Sequence, residues 1–412
     1  MQPEVSGDFG IYRAFRRRYP DARADITNDV GAEWVRYASR YEVLLKPELE
    51  PDPAVRAQLR LVRAFEGTPR PLLMGVYDDY TQGRIDQAMT IATFESLQAM
   101  FIRRALVDLD RDIRTVGGLC RELRASGYPL TKLVHLTPMD AQVRLALTHT
   151  GLPNAGYVLA RIQQPHADLR DLQVEHIYPR TPRPDWSSDD GTTRWIDLPI
   201  DEQSRYRTLL NTIGNLTLLE ARFNAGASNN SFRGKGRYYA QSEVEETRTF
   251  AQLAEWNAAS IEARTKRLID RFLTVWSRPS GEPMDVEEDH VRVVDLERRP
   301  GGMADPDIFE YALFNTQVWG DVHNVKQLLT RLVRELVVVD RERLKATDNG
   351  GIIHSAKRPH TKYSPGRLPG GEYLYLAWAT QYLLAAAQEF ISAFGLEDQV
   401  KVKRAEPAEL PL

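Results

Sequence analysis

A single cysteine, Cys120, occurs among 412 residues. A disulfide framework or a cysteine-ligated zinc site within one chain is thereby excluded, and a reducing, cytoplasmic location is expected. No stretch is apolar for long enough to span a bilayer, and the first residues lack a secretory signal pattern. Strong net charge is also missing. The 54 Lys and Arg against 57 Asp and Glu leave a formal charge of -3, so any affinity for a polyanion must come from local clustering. There is no internal repeat and no phosphate-cradling glycine loop. What is present, 42% hydrophobic residues, suffices for sizeable cores, and the length calls for more than one domain.

Three parts are expected. Residues 1–155 read as helical. Asp52-Pro53 starts a helix that buries Val55, Leu59, Val62 and Phe65 on one face. Thr93 is the expected N-cap of a second helix, with Phe94, Leu97, Phe101 and Ala105 inward. Arg103 and Arg104 follow, as a solvated face or an internal ion pair. Residues 156–280 carry a strand at Leu172 to Ile177 and a proline-rich loop over 179–200. A second short strand or turn lies at Thr212 to Leu219, and a long helix runs from Trp256 to Trp276. Residues 281–412 begin with an acidic linker of Asp285, Glu287, Glu288 and Asp289. One helix then carries Leu328 to Leu336, and another, with Leu383 to Phe394, stops at Gly395. Between them His354, Lys357, Arg358, His360, Lys362 and Arg367 crowd a loop with Pro359, Pro365 and Pro369. This loop could serve DNA or a partner protein.

The chemistry concentrates in the middle part. Val174-Glu175-His176-Ile177-Tyr178-Pro179 places an acid beside a histidine just before a proline. Gly214-Asn215-Leu216-Thr217-Leu218-Leu219 and then Asn224 follow. A neutral histidine can take a proton at physiological pH. A carboxylate and an amide oxygen suit a hard divalent cation better than zinc. On a strand Glu175 and His176 point to opposite faces, so they serve one site only if the strand bends or they approach it from different sides. From Ala221 to Ala240 there is no acidic residue, while Arg222, Arg233, Lys235 and Arg237 all occur, a stretch able to follow a phosphate backbone.

This ordered series, with Tyr157 to Ile162 before it, Ser228-Asn229-Asn230-Ser231-Phe232 and Lys235 after it, and Trp256, Ile261, Arg264, Leu268 and Trp276 beyond, resembles the C-terminal nuclease domain of the GmrSD type (DUF1524). That family is a branch of the HNH, or His-Me finger, nucleases. The resemblance is best over about Phe94 to Trp276. It implies a mainly α chain with a small ββα-metal nuclease core in residues 156–280, a helical connector before it, and a separate α+β or α accessory module after it. It further implies a metal-dependent DNA endonuclease, the effector of a restriction system against phage DNA. His176 then resembles the general base. Glu175 and Asn224 resemble ligands to Mg²⁺ or Mn²⁺. Asn215 resembles the residue that holds the hairpin loop and orients the histidine through its backbone, and Lys235 resembles a lysine that contacts the scissile phosphate.

Family members commonly carry a ParB-like nucleotide-hydrolysing domain (DUF262). No trace of it occurs here, so the resemblance implies that it belongs to a longer chain or to a separate subunit. One HNH site cuts one strand, so a double break calls for a homodimer or two encounters. Each residue also has a plain reading: Asn215 as a helix cap, Asn224 as a turn residue, Lys235 as a solvated lysine, and the arginines as an ordinary basic loop. A catalytically idle DNA-binding scaffold and an RNA-directed nuclease are the competing functions.

Overall fold

Asp52 starts a helix as expected, accepting hydrogen bonds from the amides of Ala54 and Val55 at 2.9 Å with Pro53 in the first turn. The computed structural model describes residues 29–65, 69–107, 119, 122–128, 130–163, 171–279, 290–297, 309–315, 317–320, 322–349, 351–354, 366–368 and 370–405. Cys120, the acidic residues 285–289 and the basic loop from Lys357 to Lys362 lie outside them. The described chain is mainly helical with small sheets, and no described helix is long and apolar enough to cross a membrane.

Helices α1 (Asp29–Leu45), α2 (Pro53–Val62), α3 (Pro69–Thr81) and α4 (Gln87–Leu106) enclose one core, in which Val55, Leu59, Leu72, Val76, Phe94 and Leu97 are buried. Thr93 does not cap α4. Asp86 does, through Met89 N at 2.8 Å, and Thr93 lies inside the helix, fully buried. A carboxylate outranks threonine as a cap, so the helix begins further upstream than the apolar run suggested. Arg103 takes the internal option: it is buried, donating to Trp276 O at 2.7 Å, Pro138 O at 2.9 Å and Asp140 Oδ1 at 2.7 Å.

After α5 (Thr131–Leu136), α6 (Asp140–His149) and α7 (Ala155–Gln163), strand β1 (Leu172–His176) pairs antiparallel with β2 (Leu216–Glu220), placing Glu175 opposite Thr217 and His176 opposite Leu216. Helix α8 (Ile200–Leu209) lies in the connection, and a single 3-10 turn, Ile213–Asn215, leads into β2. Beyond β2 come α9 (Ala221–Ala227), α10 (Phe232–Tyr239), α11 (Glu245–Thr249) and the long α12 (Ala258–Val275). Helix α12 starts two residues past Trp256, where Asn257 accepts from Ser260 N. It buries Leu268, Ile269 and Phe272 with α6, α7 and the hairpin, and Ile261 with Tyr178, Trp186, Tyr206 and Trp256. Each such side chain contributes about 1.5–3 kcal/mol when fully buried. Gly214 allows the approach: a Cβ there would overlap Thr265 Oγ1 and the Ile261 carbonyl of α12.

The C-terminal part is mixed. Strands β3 (Val291–Arg292), β4 (Phe309–Phe314), β5 (Gln317–Trp319) and β9 (Val400–Arg404) form a sheet of order β3-β9-β4-β5. Helices α13 (Val325–Val339) and α15 (Thr380–Phe394) pack in the same core, while α14 (Arg341–Thr347) and a small sheet of β6 (Ile353–His354), β7 (Gly366–Arg367) and β8 (Tyr373–Leu374) complete it. Gly395 ends α15 in the left-handed conformation, φ 66°, as its position implied.

Candidate active site

Asn215 is fully buried and grips the turn that follows β1. Its Oδ1 accepts from Tyr178 N at 2.7 Å, and its Nδ2 donates to Tyr178 O at 3.0 Å and Leu210 O at 2.9 Å. Its backbone oxygen accepts from Ile177 N at 3.0 Å. Side chain and backbone of Asn215 together hold the chain just after β1. Helix capping is not what Asn215 does, because β2 and not a helix follows it. The Tyr178 ring packs in a buried aromatic group, 4.8 Å from Tyr206 and 5.2 Å from Trp186 by centroids, which fixes the turn from its other side.

His176 ends β1, nearly buried at 8% exposure, with Nε2 3.0 Å from Asn211 Oδ1. An amide oxygen only accepts, so Nε2 carries the proton and Nδ1 keeps its lone pair. Burial pushes the imidazole pKa below its usual value; the Asn211 contact opposes this, and the charges of Arg180 and Lys235 add to it. The ring is thus held neutral around physiological pH. Asn211 was not singled out in the sequence. It lies just after α8, outside any motif, and its backbone oxygen is held by Leu152 N at 3.1 Å.

Glu175 obeys strand alternation and turns the other way. Its Oε1 accepts from Lys235 Nζ at 2.6 Å and Tyr239 Oη at 3.0 Å. The two adjacent residues share no side-chain partner; they are linked by Lys235, whose Nζ also donates to His176 O at 2.6 Å. Lys235 differs from the expectation of a phosphate contact. It is fully buried, and burial pulls its pKa below the usual value although Glu175 opposes the shift. Tyr239 is buried too, its phenol pushed well up by burial and by the Glu175 charge. On α10 Phe232, Lys235 and Tyr239 form the inward face, while Arg233 and Arg237 stand exposed on the other. Arg237 lies over the Tyr238 ring at 4.7 Å, and exposed Arg222 over Phe223 at 4.5 Å.

Asn224 is on α9, part-exposed, with Nδ2 donating to Gln173 Oε1 at 2.9 Å. Gln173 and Glu175 alternate onto the same face of β1, so Asn224 and Glu175 border one face of the ribbon. Among the described residues no group of three or more His, Cys, Asp and Glu converges as a metal site. Glu175 and Asn224 are the candidate oxygen donors on this face. Glu175 Oε2 and Asn224 Oδ1 make no hydrogen bond among the described residues. One carboxylate and one amide oxygen are the ligand chemistry of Mg²⁺ or Mn²⁺.

Comparison with curated proteins returns no match. Residues 142–271 match the family described as GmrSD restriction endonucleases, C-terminal domain. The matched range starts in α6, runs through β1, β2, α9 and α10, and ends in α12. It contains Glu175, His176, Asn211, Asn215, Asn224 and Lys235. Over residues 142–271, therefore, the chain is similar to the C-terminal domain of GmrSD restriction endonucleases.

Proposed function

We propose that this protein is a metal-dependent DNA endonuclease, the cutting component of a restriction system that acts on invading DNA in the cytoplasm. The observation that carries the reading is the pairing of a buried neutral His176, its Nε2 on Asn211, with an Asn215-clamped turn, inside the region matching the restriction endonuclease family. The β1–β2 ribbon followed by α9 serves as the ββα core. In it His176 Nδ1 takes the proton from the attacking water as the new P–O bond forms and the old one breaks. Asn211 orients the ring, and Asn215 holds the turn behind it. Glu175 and Asn224, approaching the phosphate from the other side of β1 than His176, would hold Mg²⁺ or Mn²⁺, which when bound supplies charge neutralisation at the phosphate and the leaving oxygen. Lys235 fixes the Glu175 carboxylate rather than touching DNA. Phosphates along the strand meet Arg222, Arg233 and Arg237, contacts that carry no base preference.

Recognition of sequence or modification then falls to a ParB-like domain or subunit, and a double-strand break to two copies of the site. The test is incubation with supercoiled plasmid, linear duplex and RNA in Mg²⁺, Mn²⁺ or EDTA, for the natural chain and His176→Ala. Nicking of DNA that needs the metal and His176 is expected. Cleavage confined to RNA moves the function to an RNA nuclease, and binding without cutting to a DNA-binding scaffold.

A further inference from the structure

Behind the hairpin lies an open cleft of about 670 Å³ between α11, α12 and the end of α7. Along one wall Arg264, Arg267 and Arg271 line up on α12, one and two turns apart. All three converge on one carboxylate. Glu246 Oε1 accepts from Arg264 Nε at 3.0 Å and Arg267 at 3.3 Å, and its Oε2 from Arg271 at 2.6 Å. Glu245 also lines the cleft, so three guanidiniums face two carboxylates and positive charge is in excess. Arg267 and Arg271 are about half exposed, and each commits a single nitrogen to Glu246. Their remaining N–H groups make no hydrogen bond among the described residues. Gln163 Nε2, also in the lining, is a buried donor with no acceptor among the described residues. Thr249 and Ser260 line the space as well, their hydroxyls donating to Glu246 O at 2.7 Å and Asn257 Oδ1 at 3.1 Å.

A wall with uncommitted guanidinium N–H groups, a buried amide donor and a positive balance calls for a ligand made of acceptor oxygens bearing negative charge. We propose that this cleft binds a phosphate ester, either a nucleoside phosphate or one backbone phosphate of a nucleic acid strand. It is a second anion site, separate from the His176 face, and its chemistry does not depend on whether His176 cuts. It is built into the same support as the catalytic turn. Arg264 also donates to Gly214 O at 2.8 Å and Leu216 O at 2.7 Å, the carbonyls on either side of Asn215. The indole of Trp256, in the cleft wall, points at Asn215 Oδ1 at 3.4 Å. Occupancy therefore bears on the residues that hold the turn after β1.

The test is binding by the full chain carrying His176→Ala, so that loss of cleavage and loss of binding stay distinct. The probes are inorganic phosphate, deoxyadenosine monophosphate and a short fluorescein-labelled single strand, read by calorimetry and anisotropy. Arg267→Ala/Arg271→Ala removes two surface heads and leaves the buried Arg264 in place. Arg343→Ala, an exposed arginine of α14 outside the cleft, is the control for loss of a surface charge. The expected result is binding that weakens by roughly tenfold or more in the α12 double variant, the scale of a lost charge-assisted hydrogen bond, with the small probes unaffected by the control variant. Response to the mononucleotide identifies a nucleoside phosphate as the ligand; response to the strand alone identifies a backbone phosphate. Failure of every probe to bind, or binding that the α12 double variant leaves unchanged, overturns the proposal.

Discussion

Replacing Lys235 by methionine tests the central support of the site. Its ammonium is wholly buried and makes two 2.6 Å contacts, to Glu175 Oε1 and His176 O. Methionine fills much the same volume, so the loss is electrostatic. Glu175, itself 5% exposed, would keep only the Tyr239 hydroxyl. Breaking a buried pair from one side costs about 3–5 kcal/mol, because the survivor's charge is left without compensation. In the double variant Lys235→Met/Glu175→Gln no charge remains. The cost falls to about 1–3 kcal/mol, chiefly from the His176 carbonyl that has lost its donor. The double variant should therefore be more stable than Lys235→Met alone. Hydrogen–deuterium exchange in peptides covering 172–178 and 215–220 reads the opening of the β1–β2 ribbon directly. If Lys235→Met leaves exchange there unchanged, or if the double variant is worse by the sum of the single costs, the ion pair is not what holds the ribbon.

His176→Ala should lower cleavage by about two to four orders of magnitude while DNA affinity stays near that of the natural protein; nicking within tenfold of it removes His176 as the base. Activity should require Mg²⁺ or Mn²⁺, with Zn²⁺ a poor substitute, and undiminished cutting after exhaustive chelation refutes the assignment of Glu175 and Asn224. Asn211→Ala should reduce kcat by roughly tenfold, the worth of one net hydrogen bond, with KM little changed. It should also shift the imidazole nitrogen resonances of His176 toward a mixture of tautomers, a change that a merely structural Asn211 would not produce. Burial pushes Glu246 up, but Arg264, Arg271 and Arg267 outweigh it and hold the carboxyl below its ordinary value of 4.5. A depressed folded pKa gives stability that is complete above the unfolded value and fades as pH falls through the folded one. Melting temperature should accordingly drop below about pH 4.5, and Glu246→Gln should lessen that acid dependence.

Much of the site could be read along the chain because its parts are local in sequence. Glu175-His176 on one strand and the Asn215 turn are short-range patterns, and the hairpin that joins them buries an unbroken run, Leu216 to Glu220. The start of α2 was legible because Asp52-Pro53 satisfies amides within its own first turn. The start of α4 lies at Asp86, seven residues before Thr93, because Asp86 caps Met89 N ahead of the apolar run from which the start was read.

Lys235 shows where such reading stops. The helical period alone sets Lys235 with Tyr239 on one face of α10 and Arg233 with Arg237 on the opposite one. Nothing in that period says which face meets water. The fold decides it by packing Phe232 against Trp256 and bringing Glu175, sixty positions away, onto the Lys235 side. Asn211 is a similar case. It belongs to no spacing rule, and its partnership with His176 exists only because α8 returns beside the end of β1. Residue types and local order thus determine which chemistry is available. Long-range packing chooses the partner of each charge, since in a buried site an unpaired charge is too costly to keep.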